Sequence, residues 1–160
     1  MTKTRVTIIS AATALALAAC AGVEEKPPEK LPECFTVNAV ICDGELEAEA
    51  ELTRAPEGWE VVMSAPETVG GLRFELTDIE CAVSLGELNY PFAAETMPAC
   101  SPLMLTVRAL DKCVYGGDSG TVSGQEYRLT YSEGVPKTLT VGGVSVELGE
   151  VCRNDAPIMS

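Results

Sequence analysis

The chain has 160 residues, and its 24 acidic residues outnumber its 11 basic ones, so the formal net charge is −13. A surface this acidic repels phosphate backbones, which excludes nucleic acid as a partner of choice. The chain holds no histidine, and histidine is the commonest metal ligand and the commonest general base in enzymes. The length suits one domain with a modest core.

The N-terminus begins with Lys3 and Arg5, and an uncharged, mostly apolar run covers residues 6–19. A helix needs about 20 apolar residues to cross the hydrocarbon core of a bilayer. The shorter run here is typical of the apolar region of a signal peptide. The sequence therefore predicts that residues 1–19 are a signal peptide and that the protein is exported.

This run ends in Leu-Ala-Ala-Cys at positions 17–20, which resembles the lipobox of bacterial lipoproteins. The resemblance implies cleavage before Cys20 and a diacylglycerol on its thiol, so that the lipid binds the chain to a membrane. The mature chain would carry 9 basic and 24 acidic residues, a charge of −15. We expect an extracytoplasmic protein on the outer face of the cell membrane, or on the outer membrane if the host has one. An ordinary secretory signal and a retained membrane anchor are the alternatives.

The mature chain divides into three parts. Residues 20–33 hold the lipidated cysteine and a flexible acidic leash, since the run VEEKPPEKLP is charged and rich in proline. Residues 34–152 form a single domain, and residues 153–160 form a flexible tail.

The domain begins with two alternating runs on either side of Asp43-Gly44. The first is Phe35 to Ile41, and in the second Leu46 to Leu52 alternate with glutamates. Asp-Gly between alternating runs is typical of a two-residue hairpin turn. This turn would place Ile41 opposite Leu46 and Phe35 opposite Leu52. Glu, Ala and Leu favour a helix, but helical winding would leave no apolar stripe, so we predict strands.

Further alternating runs predict more strands. At Gly86 the parity of the apolar residues changes, which indicates a bulge or bend, and the apolar face continues at Leu88 and Tyr90. The remaining strand signals lie at Trp59–Met63, Leu72–Leu76, Cys81–Leu85, Tyr127–Tyr131, Leu139–Val141 and Val144–Leu148, with Gly142-Gly143 as a second two-residue turn.

One helix is predicted between the strands. Ser101-Pro102 has the residues of an N-cap and a first helical position. Leu103, Val107 and Leu110 follow at helical spacing, so we predict a helix from Pro102 to about Lys112 or Cys113, which Gly116-Gly117 stops.

The fold class that results is mainly β (α+β): a curved antiparallel meander of seven or eight strands, half-barrel-like, with one covering helix after the fifth strand. One helix cannot cover such a sheet, so the sheet must curl. The arrangement resembles the half-barrel lipoproteins of the LolA and LolB type and related mycobacterial lipoproteins. The segments PETVGGLRFEL (66–76) and GQEYRLTYSEGVPKTL (124–139) also resemble uncharacterised lipoproteins of low-GC bacteria. The resemblance implies an apolar cavity under the sheet and no catalytic signature.

Six cysteines remain in the mature domain. An even number in an extracytoplasmic compartment predicts disulfides, with 15 possible pairings. A zinc site is an alternative, although the chain has no Cys-x-x-Cys pair, and free thiols are another. The candidate disulfide cysteines are Cys34, Cys42, Cys81, Cys100, Cys113 and Cys152.

Two further patterns carry no chemistry. Gly117 to Gly120 reads GDSG, as around the nucleophile of trypsin-like proteases, but that chemistry needs an imidazole, so we interpret the segment as a flexible loop. The glutamates from Glu45 to Glu51 form a solvated strand face, because calcium needs ligands that converge on one point.

We therefore expect a lipid-anchored, non-enzymatic envelope lipoprotein without a metal or cofactor, which binds an apolar ligand such as a lipid or acyl chain in a sheet cavity. The alternative for the aromatic residues of the candidate cavity lining, which is given below, is that they simply form the core. The alternative function is an acidic module that meets a basic protein. The candidate cavity lining is Phe35, Trp59, Val61, Phe74, Val83, Tyr127 and Tyr131.

Overall fold

The structure is a computed structural model, and it describes residues 27–154. The predicted signal peptide, Cys20 and residues 21–26 and 155–160 lie outside the described residues. Ten strands and one α-helix are described: β1 (Phe35–Asp43), β2 (Leu46–Ala55), β3 (Gly58–Ala65), β4 (Arg73–Leu76), β5 (Glu80–Leu85), β6 (Leu88–Ala93), α1 (Pro102–Tyr115), β7 (Ser119–Val122), β8 (Gln125–Ser132), β9 (Val135–Val141) and β10 (Val144–Arg153). Short 3-10 turns at Glu67–Val69 and Ala94–Thr96 interrupt the connections.

All ten strands form one open antiparallel sheet in the order β6-β5-β4-β3-β2-β1-β10-β9-β8-β7. Two meanders, β1–β6 and β7–β10, are thus joined where β1 pairs with β10. The predicted class, a mainly β antiparallel sheet with one helix, is confirmed. The strand count was too low, because β7 is a glycine-containing segment without an apolar face and was interpreted as a loop.

The first hairpin shows why alternation fixes the face of a strand but not its partner. Val37 pairs with Leu52 and Ile41 with Ala48, so the predicted register is wrong by two residues. The turn residues are Gly44 and Glu45 instead of Asp43 and Gly44. A shift of two keeps every apolar side chain on the same face. The predicted pairing of Val141 with Val144 and of Leu139 with Val146 is confirmed.

Gly86 lies in a hairpin turn and not at a bulge. It has φ 60° and joins β5 to β6, so that Leu85 pairs with Leu88. A two-residue turn restores the same face on the returning strand, which explains the change of parity. Leu88 and Tyr90 do lie on the apolar face, but they are exposed.

The helix forms as predicted. The Ser101 hydroxyl accepts a hydrogen bond from the Met104 amide at 3.3 Å, and Gly116 donates its amide to the Lys112 carbonyl at 2.7 Å. The buried face of α1 packs mainly against β1, β7, β9 and β10. Its buried residues are Met104, Leu105, Thr106, Val107, Ala109, Leu110 and Cys113.

The ends of the domain differ from the predicted boundaries. Leu31 is buried in the core, and the Glu29 amide donates to the Gly134 carbonyl at 2.8 Å. The predicted leash therefore packs on the domain from Glu29 onward. At the other end, Asn154 donates its amide to the Cys34 carbonyl at 3.1 Å. No helix within residues 27–154 is long and apolar enough to span a membrane.

Candidate functional site

One face of β3–β6 carries rows of apolar side chains that become more exposed toward the sheet edge. Register places Val61, Phe74, Val83 and Tyr90 side by side on the four strands. Val61 is fully buried, Phe74 and Val83 are half-buried, and Tyr90 is 70% exposed. Beyond this row, Leu85 pairs with Leu88, and these side chains are 50% and 76% exposed.

We call Phe74, Val83, Leu85, Leu88 and Tyr90 the open strip. It is open because α1 lies mainly over the other half of the sheet, on β1, β7, β9 and β10. The chain after β6 covers only the opposite end of this strand, where Phe92, Ala94 and Met97 pack against the core. A contiguous set of exposed apolar side chains on a small protein marks a binding surface more often than isolated residues do.

A cavity of about 420 Å³ lies where α1 passes the turns that follow β2 and β4, and no residue of the open strip lines it. We call it the mouth cavity. Trp59, Leu76 and Met104 supply apolar wall, and Arg54 and Asp111 supply charge. This mixed lining differs from the open strip, which has no charged side chain.

Arg54 is the centre of the mouth cavity's polar network. It is 6% exposed, and its Nε donates to Asp111 Oδ1 at 2.7 Å, while its Nη2 donates to the Tyr115 hydroxyl at 3.1 Å. Nη1 donates to the Glu33 carbonyl. Asp111 Oδ2 accepts a further hydrogen bond from Trp59 Nε1 at 3.1 Å. The network thus joins the segment before β1, two strands and the helix.

The electrostatics of this network favour the charged pair. Burial alone would lower the pKa of the Arg54 guanidinium, but its hydrogen bonds to Asp111 and Tyr115 and the charge of Asp111 together raise that pKa. The Tyr115 ring also lies 5.1 Å from the guanidinium carbon, a cation–π contact. Because the hydrogen bonds of Arg54 are directed within the protein, we interpret the network as a structural brace of the mouth cavity.

A second polar group lies just after the C-terminal end of α1. The Tyr131 hydroxyl donates to Asp118 Oδ1 at 2.6 Å, and the Tyr127 hydroxyl donates to the Gly117 carbonyl at 3.2 Å. Burial, and then the bond to Asp118, raises the pKa of Tyr131. Burial also raises the pKa of the Cys113 thiol to about 12, with a smaller contribution from the charge of Asp118. The Tyr131 phenol and the Cys113 thiol therefore stay neutral at physiological pH, and the hydrogen bonds of Tyr127 and Tyr131 fix the segment between α1 and β7.

The structure distributes the seven predicted lining residues over three places. Phe35 and Trp59 meet edge to face in the core, with ring centroids 5.6 Å apart, and Val61 is buried near them. Phe74 and Val83 belong to the open strip. Tyr127 and Tyr131 lie on β8, at the Asp118 group. Their role in lining a ligand cavity stays a prediction.

The cysteines are not bridged. All six described cysteines are free thiols, so the predicted disulfides are not supported, and the free-thiol alternative describes the structure. They lie on different elements: Cys81 and Cys113 are buried under the sheet and the helix, and Cys100 and Cys152 are exposed. Burial raises the pKa of Cys81, while the Thr77 backbone and the charge of Arg108 oppose the rise.

Two smaller predictions can be checked directly. Glu47, Glu49 and Glu51 are exposed on the outer face of β2, which confirms a solvated strand face. The segment at 117–120 is not wholly a loop, because Ser119 and Gly120 belong to β7. Within the described residues, no cluster of cysteine and acidic side chains could hold a metal ion.

Sequence reasoning missed the Arg54 network, although a signal was present. Arg54 continues the apolar face of β2 after Ala50 and Leu52, so its position alone predicts burial. A buried arginine requires a partner. The identity of that partner, Asp111, depends on how the helix crosses the sheet.

Comparisons with known proteins give a distant structural likeness. No protein-family model matches the sequence, and no curated protein matches it. Among solved structures, the chain is similar to a LolA superfamily protein from Nitrosomonas europaea, with 11% sequence identity and a TM-score of 0.45; the alignment covers 80% of this chain and 90% of that chain. At this distance the ligand chemistry of the chain has to be inferred from its own residues.

Proposed function

We propose that the protein is a lipid-anchored, non-enzymatic envelope lipoprotein that binds an apolar molecule, a lipid or an acyl chain, along the open strip. The anchor is the diacylglycerol expected on Cys20. The observation that carries the proposal is the exposure gradient on one sheet face, from Val61 at 0% through Tyr90 at 70% to Leu88 at 76%.

The chemistry of the open strip selects an apolar ligand. Its side chains are aliphatic or aromatic, and the only polar atom among them is the Tyr90 hydroxyl. The strip crosses three strands, β4 to β6, which lie about 4.8 Å apart, so it is about 10 Å long across the sheet. Covering Leu85, Leu88 and Tyr90 would remove apolar area from water, at roughly 25 cal/mol per Å². An extended hydrocarbon chain fits such a surface without needing a charged partner.

Ligand binding is tested on the full chain in mild detergent with a dansyl-labelled fatty acid as the probe. Tyr90→Glu and Leu88→Glu place a carboxylate on the strip, and Asn89→Glu places the same charge on the opposite face of the same strand. We expect the first two variants to weaken binding about tenfold, because burying an unpaired carboxylate costs more than 1.4 kcal/mol. Asn89→Glu should bind as the unaltered protein does.

Equal binding by all three variants would place the ligand elsewhere, and no binding by the unaltered chain would refute the proposal. Far-UV circular dichroism establishes that each variant is folded. Lipid that co-purifies from native membranes, identified by mass spectrometry, gives the chemical class of the natural ligand.

The anchor is tested separately. Mass spectrometry of the N-terminal peptide should find Cys20 as the first residue with a diacylglycerol on its sulfur, and Cys20→Ala should abolish the modification. A mature terminus without lipid, or intact precursor in the soluble fraction, would refute the anchor and leave the binding proposal to stand alone.

A second function is favoured by the opposite face. Glu47, Glu49 and Glu51 project from the outer face of β2 about 7 Å apart, in a chain of strongly negative charge. A basic protein would complement this face. Its capture should then be lost in 0.5 M salt, because exposed charges are screened within a few ångströms. Capture that persists in salt would contradict an electrostatic interface.

A further inference from the structure

The two edges of the open sheet differ in how they are protected. An edge strand presents unpaired amide and carbonyl groups to which another strand can add, and proteins usually block such edges. The edges here are β6 and β7. The register of each edge hairpin determines which residues direct their backbone amide and carbonyl groups outward.

The β6 edge is blocked. The turn at Gly86 and Glu87 pairs Leu85 with Leu88, so Leu88 and Tyr90 direct their backbone groups toward β5. The alternate residues, Asn89 and Pro91, therefore point theirs outward. Pro91 has no amide hydrogen, and its ring removes a donor from the middle of this six-residue edge.

The β7 edge is open. Val122 pairs with Gln125 across a two-residue turn, and the Asp118 carbonyl accepts from the Leu129 amide at 2.6 Å. Residues 118, 120 and 122 therefore face β8, and Ser119 and Thr121 direct their amides and carbonyls outward. The strand SGTV contains no proline, and its first three residues are exposed.

We propose that β7 pairs antiparallel with β7 of a second copy of this chain, about a twofold axis at Gly120. Ser119 of each copy then lies opposite Thr121 of the other. Because both residues point outward, the two pairs exchange four backbone hydrogen bonds. Gly120 meets its own copy on the axis, where side chains come closest, and it carries no side chain there. A Cβ at this position would also lie 3.0 Å from the Tyr127 ring.

Charge complementarity selects a second copy as the occupant. On β8, Arg128 lies beside Ser119 and Glu126 lies beside Thr121. Each row across the interface therefore runs Arg128, Ser119, then Thr121 and Glu126 of the second copy. The twofold axis creates this row twice, so Arg128 of each copy faces Glu126 of the other.

The space between these charges is open. Arg128 and the opposing Glu126 are three strand spacings apart, about 14 Å between Cα atoms, which two long side chains can bridge together. The residues between them are a serine and a threonine. A shallow cavity of about 630 Å³ already lies over this face, lined by Ser119, Thr121, Arg128 and Thr140 among others. Isologous contacts of this kind are the commonest form of protein assembly.

The edge pairing is tested by sedimentation equilibrium of the full chain in detergent, with micelles in excess over protein. Thr121→Pro removes an outward amide without touching the bonds to β8, and Asn89→Pro makes the same change on the β6 edge. We expect a concentration-dependent dimer in the unaltered chain and in Asn89→Pro. In Thr121→Pro the dissociation constant should rise at least about tenfold, to a mostly monomeric protein.

A charge exchange identifies the partner as a second copy. Arg128→Glu and Glu126→Arg should each raise the dissociation constant about tenfold, since two ion pairs become two repulsions. The double variant restores both rows and should return the constant to within about threefold of the original. A monomeric unaltered chain, dissociation by Asn89→Pro, or a double variant weaker than both singles would overturn the proposal. Circular dichroism excludes misfolding as the cause.

Discussion

The ion pair between Arg54 and Asp111 makes a sharp prediction, because its two partners differ in exposure. Arg54 is 6% exposed and Asp111 is 39% exposed. Removing the charge from one partner leaves the other alone in its environment. The loss in the free energy of unfolding should therefore be larger when the buried arginine is the group left unpaired.

The magnitudes follow from the contacts that each substitution removes. Asp111→Asn keeps the packing, but it removes the negative charge beside the buried guanidinium and replaces one of the two acceptor oxygens, which bind Arg54 and Trp59, by an amide donor. We expect a loss of about 3 kcal/mol. Arg54→Met removes the charge with its hydrogen bonds and keeps apolar volume. Asp111 can then take up water through its exposed side, so we expect a loss of about 2 kcal/mol.

The assay is urea-induced unfolding of the full chain, followed by circular dichroism at 25 °C. It compares the unaltered protein, Arg54→Met, Asp111→Asn and the double variant. The double variant loses the pair without leaving a lone charge, so its loss should lie well below the sum of the single losses. The coupling free energy should be about 2 kcal/mol.

Two results would refute this reasoning. Additive losses within about 0.5 kcal/mol would mean that the two side chains do not interact in solution. A larger loss for Arg54→Met than for Asp111→Asn would mean that the packing of Arg54, and not its charge, stabilises the mouth cavity.

Three further predictions concern backbone, pH and helix start. Gly58→Ala should lower the free energy of unfolding by about 2–3 kcal/mol, because φ is 151° and the new Cβ would lie 2.2 Å from the Leu76 carbonyl oxygen. Gly44→Ala, with open space around it, should lower it by only about 1 kcal/mol. Urea unfolding measures both losses. The raised pKa of Cys113 makes its contribution to stability complete below pH 9 and lost as pH rises toward about 12, so Cys113→Ala should flatten the fall of the urea midpoint over that range under reducing conditions. Ser101→Ala should lower thermal stability by about 1 kcal/mol through loss of the cap, and an unchanged melting temperature would contradict it.

The alternation of apolar and polar residues, together with the residue types at the turns, predicted most of the fold. Strands with one apolar and one polar face, such as β1 and β2, follow from period two, and α1 follows from Ser101-Pro102 and the glycines after it. The register of the first hairpin was wrong because Asp43-Gly44 and Gly44-Glu45 both place apolar residues on the same face. Strand β7 was missed because Ser119 to Thr121 has no apolar residue, and its pairing depends on Tyr127 and its neighbours on β8.

The candidate site was less accessible from sequence. Residues on the apolar face of a strand look alike whether they are buried, as Val61 is, or exposed, as Leu88 is. The difference depends on where α1 lies, and helical spacing says nothing about which strands a helix covers. The six cysteines show the same limit, since an even count in a chain predicted to be exported does not reveal whether the thiols lie on separate elements.

The pairing of β1 with β10 has a consequence for how the molecule is made. Phe35, near the start of the domain, lies opposite Arg153, near its end, in the register of β1 and β10. During synthesis, the first six strands can pair with their sequence neighbours. One edge of β1 stays unpaired until β10, the last strand, has been synthesised. The centre of the sheet is therefore completed last, and contacts this distant in sequence slow folding. Until then, one edge of β1 is unpaired, and an unpaired strand edge is prone to aggregation.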